Sequence, residues 1–350
     1  MSGLKGDLDG EIDENSKARS SITHRNWLLE RLWGIASAVL LLLTLTTVLG
    51  LLARHHWIAD LCANLRNQQV IALVGLLLMV ILYRRWHWLA LSVALLAIHL
   101  PWYASAVVGA TAAGQPAELT VMVVNVLTSN RNFHLIEDEI AQASPDAFAV
   151  LELGSPLARA LDKAFASTYP YRITIPQDRG NFGIGLYSRH SLSHVEQFAL
   201  NVPSIETIAA TLTKGAREYR IFATHPLPPV GASGFEDRNE HLRRLAVHIA
   251  QFRSQHRDIP MIVLGDLNLT PWSPLFSDLE ASAELTRAGR GYGLTPTWYA
   301  RAGTFAMGLV LDHCLISDEL QCVSHRVGAD IGSDHRAVIV GLSNIRQLLK

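Results

Sequence analysis

Cysteine is scarce in this chain: Cys62, Cys314 and Cys322 are its only three, and no two have Cys-x-x-Cys spacing. That excludes a disulfide-stapled scaffold and a thiolate zinc site. No His-Glu-x-x-His occurs, which argues against a zinc protease arrangement. Gly231-Ala232-Ser233-Gly234 is not followed by Lys-Ser or Lys-Thr, so it is no phosphate loop and reads as a flexible loop. An excess of basic residues is also missing, with 30 Lys and Arg against 31 Asp and Glu. From Glu118 onward the count is 21 against 24, a net charge near −3. Duplex nucleic-acid binders carry a basic footprint, and here only Arg243-Arg244 on a helix surface approaches one. No internal repeat is evident.

Long uncharged runs, by contrast, fill the first third. Residues 33–53 hold no charge over 21 positions, roughly 30 Å as a helix, enough to cross a hydrocarbon core. The run is longer than a signal-peptide core, and a long polar stretch precedes it. A second run, 70–83, is short for a span. A third, 86–108, holds His87, His99 and Pro101. Lys17, Arg19, Arg25 and Arg31 precede the first run, and Arg84-Arg85 separate the second from the third. Arg54 and Arg66 flank the first loop. The positive-inside rule then favours three spans, with the N-terminus in the cytoplasm and everything after about Val108 outside. Gln68-Gln69 thin the second run, and a re-entrant segment is the alternative.

The expected organisation is therefore a disordered acidic tail at 1–30, a transmembrane region of about three helices at 31–108 (33–53, 70–83 and 86–108), a small-residue linker at 109–117, and a folded domain at 118–343. The three cysteines are read as buried. The alternative, for an extracytoplasmic domain, is a Cys314–Cys322 bridge across a hairpin.

Within the folded domain, apolar β-branched runs at 119–124 and 147–151 end in Asn125 and Glu152, with a helical pattern between them. Further strands are expected at 183–187, 208–212, 219–223, 261–264 and 310–315. An amphipathic helix is expected at 238–252 and a short helix from Trp272-Ser273-Pro274. This is an α/β domain with mixed sheets covered by helices.

Polar residues at strand ends are the candidate chemistry. Glu152 closes a buried strand, where a carboxylate is costly unless paired or metal-bound; a salt-bridged strand end is the bland reading. Asp266 and Asn268 lie two apart in Gly265-Asp266-Leu267-Asn268, so an extended backbone points both to one side, whereas an Asx-turn is the simpler alternative. Asp312-His313 and Ser333-Asp334-His335 offer a carboxylate that can hold a histidine from the other segment. His225 follows another strand; a lone histidine is more often structural. An oxygen-rich set of carboxylates and amides suits Mg2+ or Mn2+, and the combination suits cleavage of a phosphoester.

Asn125, Glu152, Gly265-Asp266-Leu267-Asn268, Asp312 and Ser333-Asp334-His335, in this order, resemble the endonuclease/exonuclease/phosphatase superfamily. The resemblance implies a four-layer α/β sandwich with two sheets meeting at the active site. It implies Glu152 as principal Mg2+ ligand, with Asn125 and Asp334 near metal and phosphate. Asp266 would act on the water, Asn268 and His225 on phosphate oxygens, and His335, oriented by Asp312, on the transition state. Val126-Leu127-Thr128-Ser129-Asn130 after Asn125, and Leu151 before Glu152, depart from abasic-site nucleases. With the apolar runs, they look more like the membrane-anchored bacterial branch. The expected protein is thus a multi-pass enzyme of the bacterial cytoplasmic membrane, its catalytic domain outside, acting on a phosphate mono- or diester of a lipid headgroup or small molecule. The alternatives are a DNA nuclease and a tethered binding domain without turnover.

Overall fold

The computed structural model describes residues 27, 29–109, 114–302 and 305–345. Nearly all of the expected tail, and the middle of the expected linker, lie outside these residues. The chain divides into two compact units, Met1–Val48 with Asn67–Ile98, and Leu49–Arg66 with His99–Lys350.

The first unit is built from α1 (Leu29–Gly50), α3 (Arg66–Leu82) and most of α4 (Trp86–Val107), around buried Ala36, Leu40, Leu43, Leu73, Leu76 and Leu95. By length and composition, α1 and α4 can each cross a membrane. The short α2 (Trp57–Asn64) precedes α3 with a 58° bend, and if that bent pair is one span the number rises to three.

In the second unit, two six-stranded sheets stack face to face. One has the order β13-β14-β1-β2-β4-β3, from β1 (Leu119–Asn125), β2 (Ala147–Leu151), β3 (Tyr171–Ile175), β4 (Ile184–Ser188), β13 (Leu320–Val327) and β14 (Val338–Asn344). The other has the order β5-β6-β7-β8-β12-β9, from β5 (Ser191–Ala199), β6 (Glu206–Lys214), β7 (Arg217–Thr224), β8 (Met261–Asp266), β9 (Thr286–Arg287) and β12 (Asp312–Ile316). β10 (Trp298–Ala302) and β11 (Phe305–Leu309) form a separate hairpin. The pairs β1–β2 and β7–β8 are parallel and the remaining pairs antiparallel, so both sheets are mixed, as the sequence predicted.

The two-residue alternation of strand side chains explains the layering. Val121, Val123, Ala149 and Leu151 face inward against Ile221, Ala223, Ile262 and Leu264 of the opposite sheet. Met122, Val124, Phe148 and Val150 face outward and meet Ile136 and Ile140 of α5 (Phe133–Ala143) and Leu157 and Leu161 of α6 (Ser155–Phe165). On the other side Phe222, Met261 and Val263 pack against Leu242, Leu245 and Ile249 of α7 (Gly231–Gln255) and Phe276 and Leu279 of α8 (Pro274–Ala283). Strands buried on both faces carry near-continuous apolar runs. The result is the helix–sheet–sheet–helix sandwich.

One expectation fails, and one alternative is set aside. Gly231-Ala232-Ser233-Gly234 is the first turn of α7, not a flexible loop, and the helix starts seven residues before the expected 238. Close packing favours glycine here: a Cβ on Gly234 would lie 2.6 Å from the Pro228 carbonyl oxygen. Cys314 and Cys322 do not face each other across a hairpin, because β12 and β13 belong to different sheets; both thiols are free and buried.

Gly265 reflects a similar close approach, since its Cβ would lie 2.5 Å from the Thr224 carbonyl oxygen on paired β7. Gly265→Ala is expected to destabilise the protein by about 1–3 kcal/mol through overpacking. Thermal unfolding checks this, and an unchanged Tm contradicts it.

Candidate active site

The inner strands of both sheets deliver polar residues to one end of the sandwich. Asn125 ends β1, and Glu152 follows β2, which runs parallel to it with Asn125 opposite Leu151. Asp266 ends β8 and pairs in register with Asp312 at the start of antiparallel β12. His225 follows β7, and Ser333-Asp334-His335 precede β14. Residues more than 200 positions apart in sequence meet because strand ends let the chain present side chains while its backbone stays paired.

One oxygen is the meeting point. Asn125 Nδ2 donates to Asp266 Oδ2 at 3.2 Å and to Glu152 Oε1 at 3.0 Å, joining the two sheets. His225 Nε2 lies 3.4 Å from the same Asp266 oxygen and His335 Nε2 lies 3.6 Å from it. On its other side His335 donates through Nδ1 to Asp312 Oδ2 at 2.8 Å, so Asp312 orients the ring. All six of these side chains are buried. Ser333 secures the last turn, donating through Oγ to the Asn125 carbonyl and accepting from the His335 N–H.

The buried charges set the protonation states. Burial alone would raise the Asp266 carboxyl, but His335, His225 and the Asn268 N–H outweigh it and hold the group well below the usual carboxylate range. Burial alone would lower His335, yet Asp312 and Asp266 push it up to about 10. His225 is raised for the same reason, with burial opposed by Asp266 and Glu152. The site therefore holds an ionised carboxylate beside a protonated imidazole: a proton acceptor and a donor to phosphoryl oxygen.

Backbone strain is concentrated here. Leu127, Glu152 and Asn268 have φ of 60°, 58° and 50°, in the left-handed region that side chains other than glycine rarely occupy. This corrects the extended reading of 266–268. β8 stops at Asp266, whose Oδ1 accepts from the Asn268 N–H at 3.0 Å, the Asx-turn arrangement, and Asn268 Nδ2 donates to the Pro226 carbonyl at 3.0 Å. Asn268 thus ties the end of β8 to the His225-Pro226 strand end and keeps a second amide hydrogen for a ligand.

The three expected metal-site residues are brought together only in part. Asn125 touches Glu152, whereas the Asp334 carboxylate accepts from the Trp298 indole N–H through Oδ2 at 3.0 Å. Among the described residues, Glu152 has no Lys or Arg partner; its oxygens accept from Asn125 and from the Thr128 N–H at 3.2 Å. Asp334 Oδ1 and Asp312 Oδ1 are buried without a hydrogen-bond donor. Asp266, Asp312 and His335 each bring a ligand atom within 4.8 Å of the other two. Buried carboxylate oxygens without a donor, and a carboxylate without a basic partner, fit a hard divalent cation.

Several contributors carry no sequence signal. Trp298 holds Asp334, the Thr297 hydroxyl accepts from the Leu311 and Asp312 N–H groups, and Thr128 Oγ1 donates to the Glu152 carbonyl. Phe182 packs its ring 5.5 Å from that of His225. A Thr or an aromatic in a loop looks ordinary until its neighbours are known. The remaining histidines near apolar strands are structural: His241 bonds the Thr224 hydroxyl, and His313 bonds the Leu269 carbonyl. His194-Val195-Glu196 is the chain's one His-x-Glu spacing. Its Glu196 is engaged by Arg220 and His248, away from this site.

Comparison with known proteins accords with this geometry. The profile of the Endonuclease/Exonuclease/phosphatase family matches residues 122–335, which run from β1 to the histidine of the last turn. Among solved structures, an endonuclease/exonuclease/phosphatase from Beutenbergia cavernae superposes with TM-score 0.54 at 21% identity, covering 65% of this chain and 72% of that one. The human Nocturnin catalytic domain with bound sulfate gives 0.54 at 20% identity, covering 65% and 94%. TDP2 of D. rerio, complexed with a single-strand DNA product, gives 0.54 at 15% identity, covering 65% and 99%. A search of curated protein sequences finds no match. With the profile spanning more than half of its length, the chain belongs to the endonuclease/exonuclease/phosphatase family of phosphoester-hydrolysing enzymes, which generally depend on a divalent metal.

Proposed function

We propose that this protein is a membrane-anchored, Mg2+-dependent phosphoesterase that hydrolyses a phosphate mono- or diester, with a lipid headgroup as the preferred substrate class and Mn2+ as an alternative metal. The observation that carries the chemistry is the convergence of Asn125, His225 and His335 on Asp266 Oδ2. Asp266 orients and deprotonates the attacking water. His335, protonated and held by Asp312, donates to a phosphoryl oxygen as charge builds in the transition state. Asn125, Asn268 and His225 line the phosphate. Glu152, Asn125 and Asp334 would hold the cation, which would supply positive charge against the phosphate.

The lipid reading draws on the apolar helices α1 and α4 and on the net charge near −3 from Glu118 onward, which suits DNA poorly. Three spans, a catalytic domain at 118–343 outside the cytoplasmic membrane of a bacterium, and a cytoplasmic tail at 1–30 complete the proposal, on the charge distribution around the apolar runs. The test is a panel run on the full-length protein in detergent: a phospholipid, a lipid pyrophosphate, p-nitrophenyl phosphate and supercoiled plasmid, each with and without Mg2+. Metal-dependent release from a lipid substrate is expected. Plasmid nicking without lipid turnover would replace this reading with a nuclease.

A further inference from the structure

Residues 54–66, between the first two apolar runs, lie in the same compact unit as the active site and reach it through a buried ion pair. Asp60, on α2, is fully buried, and its Oδ2 accepts from Nη2 of Arg238 at 2.9 Å. Arg238, on α7 and also fully buried, donates through Nη1 to the carbonyl of Asn268 at 2.9 Å and through Nε to Asn239 Oδ1. A guanidinium is costly to bury unless its charge is met, and Asp60 meets it. Asn268 is the residue with φ of 50° that bonds Asp266 on one side and Pro226 on the other. A strained conformation persists only when its surroundings over-determine it, and Arg238 supplies the third restraint.

Further bonds reinforce the same stretch. Asn64 Oδ1 accepts from both the N–H and the hydroxyl of Thr270, and the Asn64 carbonyl accepts from the Trp272 indole. Arg66 donates to the Trp272 carbonyl, and Arg54 forms a two-bonded pair with Asp278. The 268–272 segment downstream of Asp266 is therefore braced from residues that the family profile, beginning at 122, does not include.

We infer that Asp60 and Arg238 are positioning residues for hydrolysis: Asp60 fixes Arg238, Arg238 fixes Asn268, and the loop between the first two apolar runs is thereby part of the catalytic unit. This rests on the proposed phosphoesterase function. It predicts that catalysis depends on a side chain more than 200 positions upstream of Asp266, one that never touches substrate.

The test uses full-length protein in detergent with bis-p-nitrophenyl phosphate and Mg2+. Asp60→Asn is expected to lower kcat about 10-fold or more with KM nearly unchanged, the pattern of a lost transition-state interaction. The double variant Asp60→Asn with Asn268→Ala should be no slower than Asn268→Ala alone, because Asp60 and Arg238 act by placing the Asn268 side chain, which Asn268→Ala has already removed while leaving the carbonyl that Arg238 bonds. Should Asp60→Asn fail to fold, the paired replacement Asp60→Leu with Arg238→Met restores a neutral buried contact. That pair should keep the melting temperature and still lose kcat. Wild-type kcat in the folded pair, or losses that multiply in the double variant, would overturn the inference. Hydrogen exchange separates it from the functional reading. If wild type turns over no probe, the phosphoesterase proposal fails, and faster amide exchange at Asn268 and Thr270 in the pair still supports the restraint, whereas unchanged exchange refutes it.

Discussion

Asp266→Ala is expected to lower kcat/KM by about 1,000-fold or more, equivalent to about 4 kcal/mol of transition-state stabilisation. The size follows from the position of its Oδ2, which Asn125, His225 and His335 all approach within 3.6 Å. Removing it takes away the proton acceptor and leaves two buried imidazoles without their shared counter-charge. Asp266→Asn, which keeps the shape, should lose nearly as much, because an amide cannot accept the water's proton. Steady-state kinetics on folded variants check this, and residual activity above a tenth of wild type contradicts the assigned role.

Asp312→Asn is expected to act through pH. His335 is pushed up to about 10 against the pull of burial, with Asp312 the first of the carboxylates responsible. Its protonated form is therefore fully present below the ordinary value of 6.5 and is lost only as pH rises through about 10. Replacing Asp312 removes the carboxylate that accepts from Nδ1, and burial then works to strip the proton. The alkaline limb of the kcat profile should move down by about two pH units, from about 10 to about 8, so the loss is about 50-fold at pH 10, about twofold at pH 8 and negligible at pH 6. A profile that falls in parallel at every pH would show that Asp312 does not hold the proton on His335.

The site was legible where local sequence pattern and local structure coincide. Apolar runs that stop at Asn125, Glu152 and Asp266 are strands that stop there, and the order of those motifs carried the family. What stayed hidden depends on distant partners. Asp-Leu-Asn reads equally as strand or turn, and only the bonds from Asn268 to Pro226 and Arg238 decide for the left-handed turn. Gly-Ala-Ser-Gly has a loop's composition, yet it opens α7, where Phe235 and Arg238 are buried. The cysteines are buried as first read, and the alternative of a hairpin bridge falls away because two strands adjacent in sequence joined different sheets. Trp298 and Asp60 show no pattern at all, since the role of each depends on a partner distant in sequence, Asp334 and Arg238.

The central claim is that these strand ends form one phosphoester-cleaving site. Hydrolysis of bis-p-nitrophenyl phosphate by the purified full-length protein, followed before and after chelation and on restoring Mg2+, tests it most directly. The account predicts turnover that disappears with EDTA, returns with Mg2+, and is absent from both Asp266→Ala and His335→Ala. Turnover that survives chelation, or that both variants retain, would contradict it.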